Sequence, residues 1–349
     1  MKDFQKYIIN QGDNILKAFE LLNNVPEALT LFVVKDNNKM VGTLTDGDIR
    51  RAFLKGKSTN DKVCDFMKSS FHALHQDINP IQINEIKKLG IHLLPILNND
   101  GCIRKVIDLN KKQTVLPIDA VIMAGGKGER LRPLTNNTPK PMLPLGNKPI
   151  IEHNIDRLIS YGIENIYISV NYLADQIKDY FGDGSSKGIN IKYLEEEQFL
   201  GTIGSVSMVS EFANPYVLVM NSDLFTDVDL EDLWINMVEE KANLSVASIS
   251  YTVNIPFAIM TREGGRITGL KEKPSNTHYA NAGIYLMKTK ECYRIPKDSF
   301  YNATDLIENI IETGGKVIDN PITGYWIDIG RHEEYNKAQE IIKHLKQNF

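Results

Sequence analysis

The run from Ile118 to Met123 is short and mostly apolar, and reads as a buried strand. It opens at once into Ala124, Gly125, Gly126, Lys127, Gly128, Glu129 and Arg130. A buried strand that ends in glycines leaves bare backbone N–H groups where a phosphate chain can rest. Arg130 and Lys140 are cations able to reach such a chain. No Gly-Lys-Ser/Thr closes the loop, so it is not a Walker A loop, and the third glycine of a dinucleotide fingerprint is missing.

From this strand onward, strand and helix patterns alternate. Strands are expected at 165–170, 189–195, 217–220 and 244–251, and helices at 150–161, 173–181, 203–212 and 230–240. The alternation implies an α/β fold with a mostly parallel sheet and helices on both faces. In such sheets ligands bind beyond the carboxyl ends of the strands. The glycine loop and Asn221-Ser222-Asp223 both lie just past a strand, so they can share one rim. Later segments, 258–261 and 267–270 around Gly264-Gly265, read as antiparallel, and 332–346 as a closing amphipathic helix.

Residues 1–115 have a different texture. A helix at 14–22, strands at 29–34 and 40–45, and a helix at 49–54 after Asp46-Gly47-Asp48 make one unit. A helix at 83–89 and strands at 92–97 and 103–109 around Asn98-Asn99-Asp100-Gly101 make a weaker copy, which suggests an internal repeat. The stretch from Val41 to Arg50 resembles the CBS domain. That resemblance implies a tandem α+β pair that binds an adenine nucleotide, with Thr45 and Asp48 on phosphate and ribose. The second copy lacks the Thr-x-x-Asp element, so one site is expected to be intact. Thr45 and Asp48 can equally be a helix N-cap, and the pair can serve assembly into a homo-oligomer. The polar stretch 110–113 marks the boundary, giving a CBS pair at 1–115 and a second domain at 118–349.

Composition narrows the partners. Forty Lys and Arg against 44 Asp and Glu give a net charge of −4, which is no footprint for nucleic acid. Cys64, Cys102 and Cys292 have neither disulfide-framework nor metal spacing and suit a reducing cytoplasm. The N-terminal residues show no secretory pattern, and no apolar run approaches the ~18 residues of a membrane span.

Together with Pro139-Lys140-Pro141-Met142, the glycine loop resembles that of the sugar-phosphate nucleotidyltransferases. Other elements follow in that family's order: Leu200-Gly201-Thr202-Ile203-Gly204, Asn221-Ser222-Asp223, Glu272-Lys273-Pro274, Asn281-Ala282-Gly283, and Trp326-Ile327-Asp328-Ile329-Gly330. The resemblance implies a Rossmann-like, GT-A-like sheet and the joining of a sugar 1-phosphate to a nucleoside triphosphate with release of pyrophosphate. A phosphate monoester has a second pKa of about 6, so the attacking group is already largely dianionic at neutral pH. Catalysis then becomes positioning and charge neutralisation.

By this resemblance Asp223 and Asp328 hold Mg²⁺, Arg130 takes the β- and γ-phosphates, and Lys140 steadies the α-phosphate. Ala124, Gly125, Gly126 and Lys127 bind nucleotide. Lys273 holds the sugar phosphate, Glu272 and Asn281 bond sugar hydroxyls, and Gly201 and Gly283 let ligand approach the backbone. The base edge is expected near Glu196 or Glu197. An ionised carboxylate accepts both donors of guanine, whereas uracil or thymine suits an amide better. This favours GTP, with uridylyl or thymidylyl transfer as the alternative. A CBS pair before such a transferase resembles the guanylyltransferases of bacterial nonulosonate (legionaminic acid) pathways, which implies glucosamine 1-phosphate. A non-catalytic nucleotide-sensing subunit is the reading from another class; the intact cations and both acidic residues count against it.

Overall fold

The computed structural model describes residues 3–25, 29–75, 80–110 and 112–347. Met1 and Lys2 of the leading stretch and Lys111 of the boundary lie outside the described residues. The chain divides into two compact units, Met1–Leu116 and Pro117–Phe349.

In the first unit, Thr30–Lys35 pairs in parallel with Ile8–Asn10 and antiparallel with Lys39–Thr45. The helix Ile15–Asn23 starts at Asn14, whose side chain accepts from Leu16 N at 2.8 Å. Its Ile15, Ala18 and Leu22 enter a core with Leu31, Val33, Leu44 and Ile49. A helix at Pro80–Lys88 and the antiparallel pair Leu93–Leu97 and Ile103–Asp108 follow. Helix, strand, turn and strand thus occur in both halves.

The second unit is built on seven strands: β1 (Ile118–Met123), β2 (Asn165–Val170), β3 (Asn190–Glu195), β4 (Tyr216–Asn221), β5 (Leu244–Asn254), β6 (Ser275–Lys288) and β7 (Val317–Pro321). Their order is β3-β2-β1-β4-β6-β5-β7, and only β6 runs against its neighbours. The central sheet is therefore mostly parallel, as the alternation predicts. The chain winds outward from β1 to β2 and β3, then returns to add β4 on the other side of β1. Loops after β1 and β4 part there and leave a crevice at the carboxyl edge.

The segment expected as a helix at 203–212 is instead a short 3₁₀ turn, Gly204–Met208, followed by irregular chain. Gly, Ser and Val propagate an α-helix poorly. Ser207 Oγ also bonds back to Gly204 O at 2.7 Å. The end of the segment is held by Asp119, which is fully buried in β1. Its carboxylate accepts from Ala213 N at 2.6 Å, Asn214 N at 3.0 Å, Asn214 Nδ2 at 2.7 Å and Asn165 Nδ2 at 3.0 Å.

Strand β6 is not among the strands expected from the sequence. Its second half is buried between β4 and β5, while its first half leaves the sheet paired with the end of β5 as an exposed ribbon. The antiparallel pair Ile259–Glu263 and Arg266–Lys271 continues that ribbon. No described helix is long and apolar enough to cross a membrane.

Candidate active site

Strand register brings the site together. β1 and β4 are parallel neighbours with Asn221 opposite Met123, so the glycine loop and Ser222-Asp223 leave the sheet side by side. Ser222 N donates to Met123 O at 3.1 Å, and Ala124 N to Ser169 O at 2.9 Å. Trp326–Asp328 then pairs antiparallel with Leu224–Thr226, with Asp328 opposite Leu224, and Ile329 N donates to Asp223 O at 3.1 Å. Two carboxylates separated by a hundred residues of chain thereby become neighbours.

Lys140 stands between them. It sits at the start of a 3₁₀ turn held between Pro139 and Pro141, and its ammonium is bonded to Asp223 Oδ2 and lies 3.9 Å from Asp328 Oδ1. The glycine loop packs directly on it: a Cβ at Gly128 would come within 2.9 Å of that of Lys140. Thr135 Oγ1 donates to Gly128 O at 2.8 Å and closes the loop.

The electrostatics follow from this crowding. Burial pushes the Asp328 carboxyl above its ordinary pKa, and the Asp223 carboxylate adds to the rise, against the pull of Lys140 and Arg130. Asp223 Oδ1 is buried and has no hydrogen-bond partner, while Oδ2 is taken by Lys140. A buried, unsatisfied carboxylate oxygen with a second carboxylate in its electrostatic reach suits a hard cation. Mg²⁺ is commonly held by one or two carboxylates and completes its shell with phosphate and water. Among the described residues no group of three or more His, Cys, Asp or Glu is placed to hold a metal ion.

A cavity of about 450 Å³ opens over these groups. Gly125, Gly126, Arg130, Lys140, Glu196, Gly201 and Asp223 line it, as does Gly330, two residues beyond Asp328. Glu196 is buried; its Oε1 accepts from Ser169 Oγ and its Oε2 from Leu200 N at 3.2 Å. Ala124 is buried behind the wall and Lys127 is exposed.

The remaining expected residues lie on or beside the ribbon. Asn281 Oδ1 accepts from Gly283 N at 2.9 Å, and Glu272 and Lys273 are exposed on the loop that precedes β6. None of these four lines the cavity. Gly201 and Gly283 are needed for a reason the sequence does not display. A Cβ at Gly201 would stand 2.5 Å from Tyr301 O, and one at Gly283 2.6 Å from Asn221 Nδ2, so the space goes to the protein's own chain. Trp326 is a packing residue whose Nε1 donates to Ala282 O at 2.9 Å. Thr202, from the Leu200-Gly201-Thr202 element, lines the cavity with Phe199, which was given no role; a lone aromatic carries no motif.

In the first unit, Thr45 is the N-cap of the helix Asp46–Leu54. Thr45 N donates to Asp48 Oδ2 at 3.0 Å, and Asp48 N to Thr45 Oγ1 at 3.2 Å, which is a reciprocal capping box. Arg51 occupies Asp48 Oδ1 at 2.6 Å. Thr45 also lines a separate cavity of about 340 Å³, with Phe32, Lys68, Phe71, His72 and His92 among its walls.

Comparison with known proteins agrees with this architecture. Bifunctional protein GlmU of Methanocaldococcus jannaschii is 35% identical over 232 residues, covering 64% of this chain and 54% of its own length. Mannose-1-phosphate guanylyltransferase of Mycobacterium tuberculosis is 31% identical, covering 62% of each chain. UTP–glucose-1-phosphate uridylyltransferase of Synechocystis is 30% identical, covering 63% of this chain and 62% of its own. The chain thus spans between half and two thirds of the length of these relatives.

Among solved structures, one described as a glucose-1-phosphate thymidylyltransferase from Bacillus anthracis matches with TM-score 0.53 and 25% identity, over 64% of this chain and 94% of its own. HddC of Yersinia pseudotuberculosis, complexed with GMP-PN, matches at TM-score 0.50 and 23% identity over 64% of this chain and 99% of its own, a likeness of fold alone. Residues 4–55 match the CBS domain and residues 119–344 match the nucleotidyl transferase model. The chain therefore belongs to the nucleotidyl transferase family and carries a CBS domain at its N-terminal end.

Proposed function

We propose that this chain is a sugar-1-phosphate nucleotidyltransferase that uses GTP and a hexose 1-phosphate and releases pyrophosphate. The observation that carries the reading is Lys140 bonded to Asp223 under a glycine loop, all lining one cavity, with Asp328 beside Lys140. Two polyanions can meet only where cations and N–H donors outweigh their repulsion.

In this reading the loop backbone and Arg130 bind the departing β- and γ-phosphates, and Lys140 orients the α-phosphate for in-line attack. Asp223 and Asp328 would hold Mg²⁺, which neutralises charge on the α-phosphate when bound. Gly125 and Gly126 let the phosphate chain approach the backbone, with Ala124 and Lys127 flanking them. Lys273, Glu272, Asn281 and Gly283 belong to the sugar-phosphate end, reached from the ribbon. No residue is needed as general base, because the attacking phosphate oxygen is already ionised.

Glu196 supports guanine: it is buried at the cavity wall, and a carboxylate oxygen has the capacity to accept more than one hydrogen bond. Uridylyl or thymidylyl transfer is the second reading, and one observation favours it. Both Glu196 oxygens already accept hydrogen bonds within the protein. Glucosamine 1-phosphate, and a bacterial nonulosonate such as legionaminic acid as the destination, rest on the order of a CBS unit before a transferase unit. The first unit as a full CBS pair, an adenine nucleotide at the Thr45 cavity, a homo-oligomeric state and a cytoplasmic location complete the proposal.

Pyrophosphate release across four nucleoside triphosphates and several hexose 1-phosphates tests it. GTP is expected to give the highest kcat/KM, and chelation of divalent cations to abolish turnover. Asp223→Asn is expected to lower kcat by about 10²-fold or more. Turnover with UTP but not GTP removes the guanine assignment, and an unimpaired Asp223→Asn removes the metal assignment.

A further inference from the structure

Two phenylalanine rings stand in water where the cavity opens. Phe199 lines the cavity and is 59% exposed, and Phe300 is 58% exposed. Their centroids lie 5.9 Å apart with an interplanar angle of 62°, an edge-to-face contact. The rings belong to loops a hundred residues apart in sequence that are laced together by backbone. Tyr301 N donates to Leu200 O at 2.9 Å, and Ile203 N to Tyr301 O at 3.2 Å. Thr202 N donates to Asn302 Oδ1 at 3.3 Å, and Ala303 N to Thr202 Oγ1 at 2.9 Å. Asn302 in turn caps the helix Ala303–Glu312. Leu200 N is bound by the buried carboxylate of Glu196, so the Phe199 loop is pinned at both ends.

A large apolar ring exposed on a pinned loop gains free energy when a flat face covers it. The cavity supplies a direction for that face. Arg130 and Lys140 make it cationic on the side of the glycine loop and Asp223, whereas Glu196 and Phe199 come from the chain that follows β3. An object that is anionic at one end, and planar with hydrogen-bonding edges at the other, matches both. We propose that Phe199, braced edge-on by Phe300, is the stacking platform for the base of the nucleoside triphosphate. Glu196 then meets the edge of the base while Phe199 meets its face. This assignment rests on the proposed nucleotide substrate but not on which base it carries.

Calorimetric binding of GTP, UTP and tripolyphosphate to the full chain tests it, comparing wild type with Phe199→Ala, Phe199→Tyr and Phe300→Ala. Phe199→Ala is expected to weaken the preferred nucleotide about tenfold, within the range that aromatic stacking on a base supplies, and to leave tripolyphosphate unchanged. Phe199→Tyr should bind as wild type. Phe300→Ala should lose about threefold, because it removes only the edge contact. Equal weakening of nucleotide and tripolyphosphate, or none at all in Phe199→Ala, overturns the platform. A wild-type preference for UTP with a base-dependent loss in Phe199→Ala removes guanine and keeps the platform. A preference for GTP with an unchanged Phe199→Ala does the reverse.

Discussion

Asp48 carries two demands on one carboxylate. It closes the capping box with Thr45, and it is the partner of Arg51 and, at 3.4 Å, of Lys68. Burial opposes its ionisation, but the hydrogen bonds from Thr45 and Arg51 and the charge of Lys68 outweigh burial and hold its pKa below the usual carboxylate value. A carboxyl depressed in the folded state stabilises above its unfolded pKa, and that contribution fades as pH falls through the folded value. Asp48→Asn is therefore expected to destabilise the first unit by about 1 kcal/mol at pH 7, the size of a lost cap. The gap from wild type should narrow below about pH 4, where the unfolded carboxyl takes up its proton. Denaturant melts of both proteins at pH 7 and pH 3 measure it, and an undiminished gap at pH 3 would assign the loss to packing instead. The same residue shows how a Thr-x-x-Asp motif is ambiguous in sequence: a cap and a ligand contact use the same side chains. Here the cap is formed and a cavity adjoins it.

The segment from Ile203 to Phe212 separates what sequence discloses at the level of elements from what it hides. Ile203, Val206, Val209 and Phe212 recur every third residue, and all four are buried in one core cluster. Their burial was legible. Their hydrogen bonding was not, because a spacing of three fits a 3₁₀ turn as well as an α-helix, and the partners that decide between them lie in β1 and at 299–302. The first half of β6 was hidden for a related reason. Ser275, Asn276, Thr277 and His278 show no alternation, and only pairing with the end of β5 makes them a strand. The glycine loop and Asp223 could be read as one rim, because each follows an apolar strand that ends at the same sheet edge, whereas Asp328 joined them in the sequence only through the family resemblance. Asp119 gave no such signal, since a lone acid inside an apolar run looks like an interruption. Asp119→Ala would leave two backbone N–H groups and two asparagine amides without their acceptor. A cost of about 3 kcal/mol is expected, read as a lower urea midpoint with an unchanged slope. A loss below about 0.5 kcal/mol would mean that water replaces the carboxylate at little cost.

At the scale of the whole molecule, the two units are joined by sequence and each carries its own core. Leu31, Leu44 and Ile49 close one core of the first, while Val121, Val219 and Leu306 lie in a core of the second. The residues that form the proposed catalytic site all fall after Pro117, and Thr45 and Asp48 before Leu116. A domain with its own core can fold alone, and loss of one unit then need not unfold the other. A chain comprising residues 117–349 is accordingly expected to fold, with one cooperative calorimetric transition, and to keep kcat for pyrophosphate release within about twofold of the full chain, since chemistry is set by local geometry. Any response of the full chain to adenine nucleotides should vanish in it, because coupling requires a second site whose ligand distinguishes two states. Sedimentation of both chains adds a separate readout. A change in mass per particle with turnover retained assigns assembly to the first unit. If the shortened chain folds and binds GTP but turnover collapses, the first unit is part of the catalytic machine, and the division of labour argued from the separate cores is wrong.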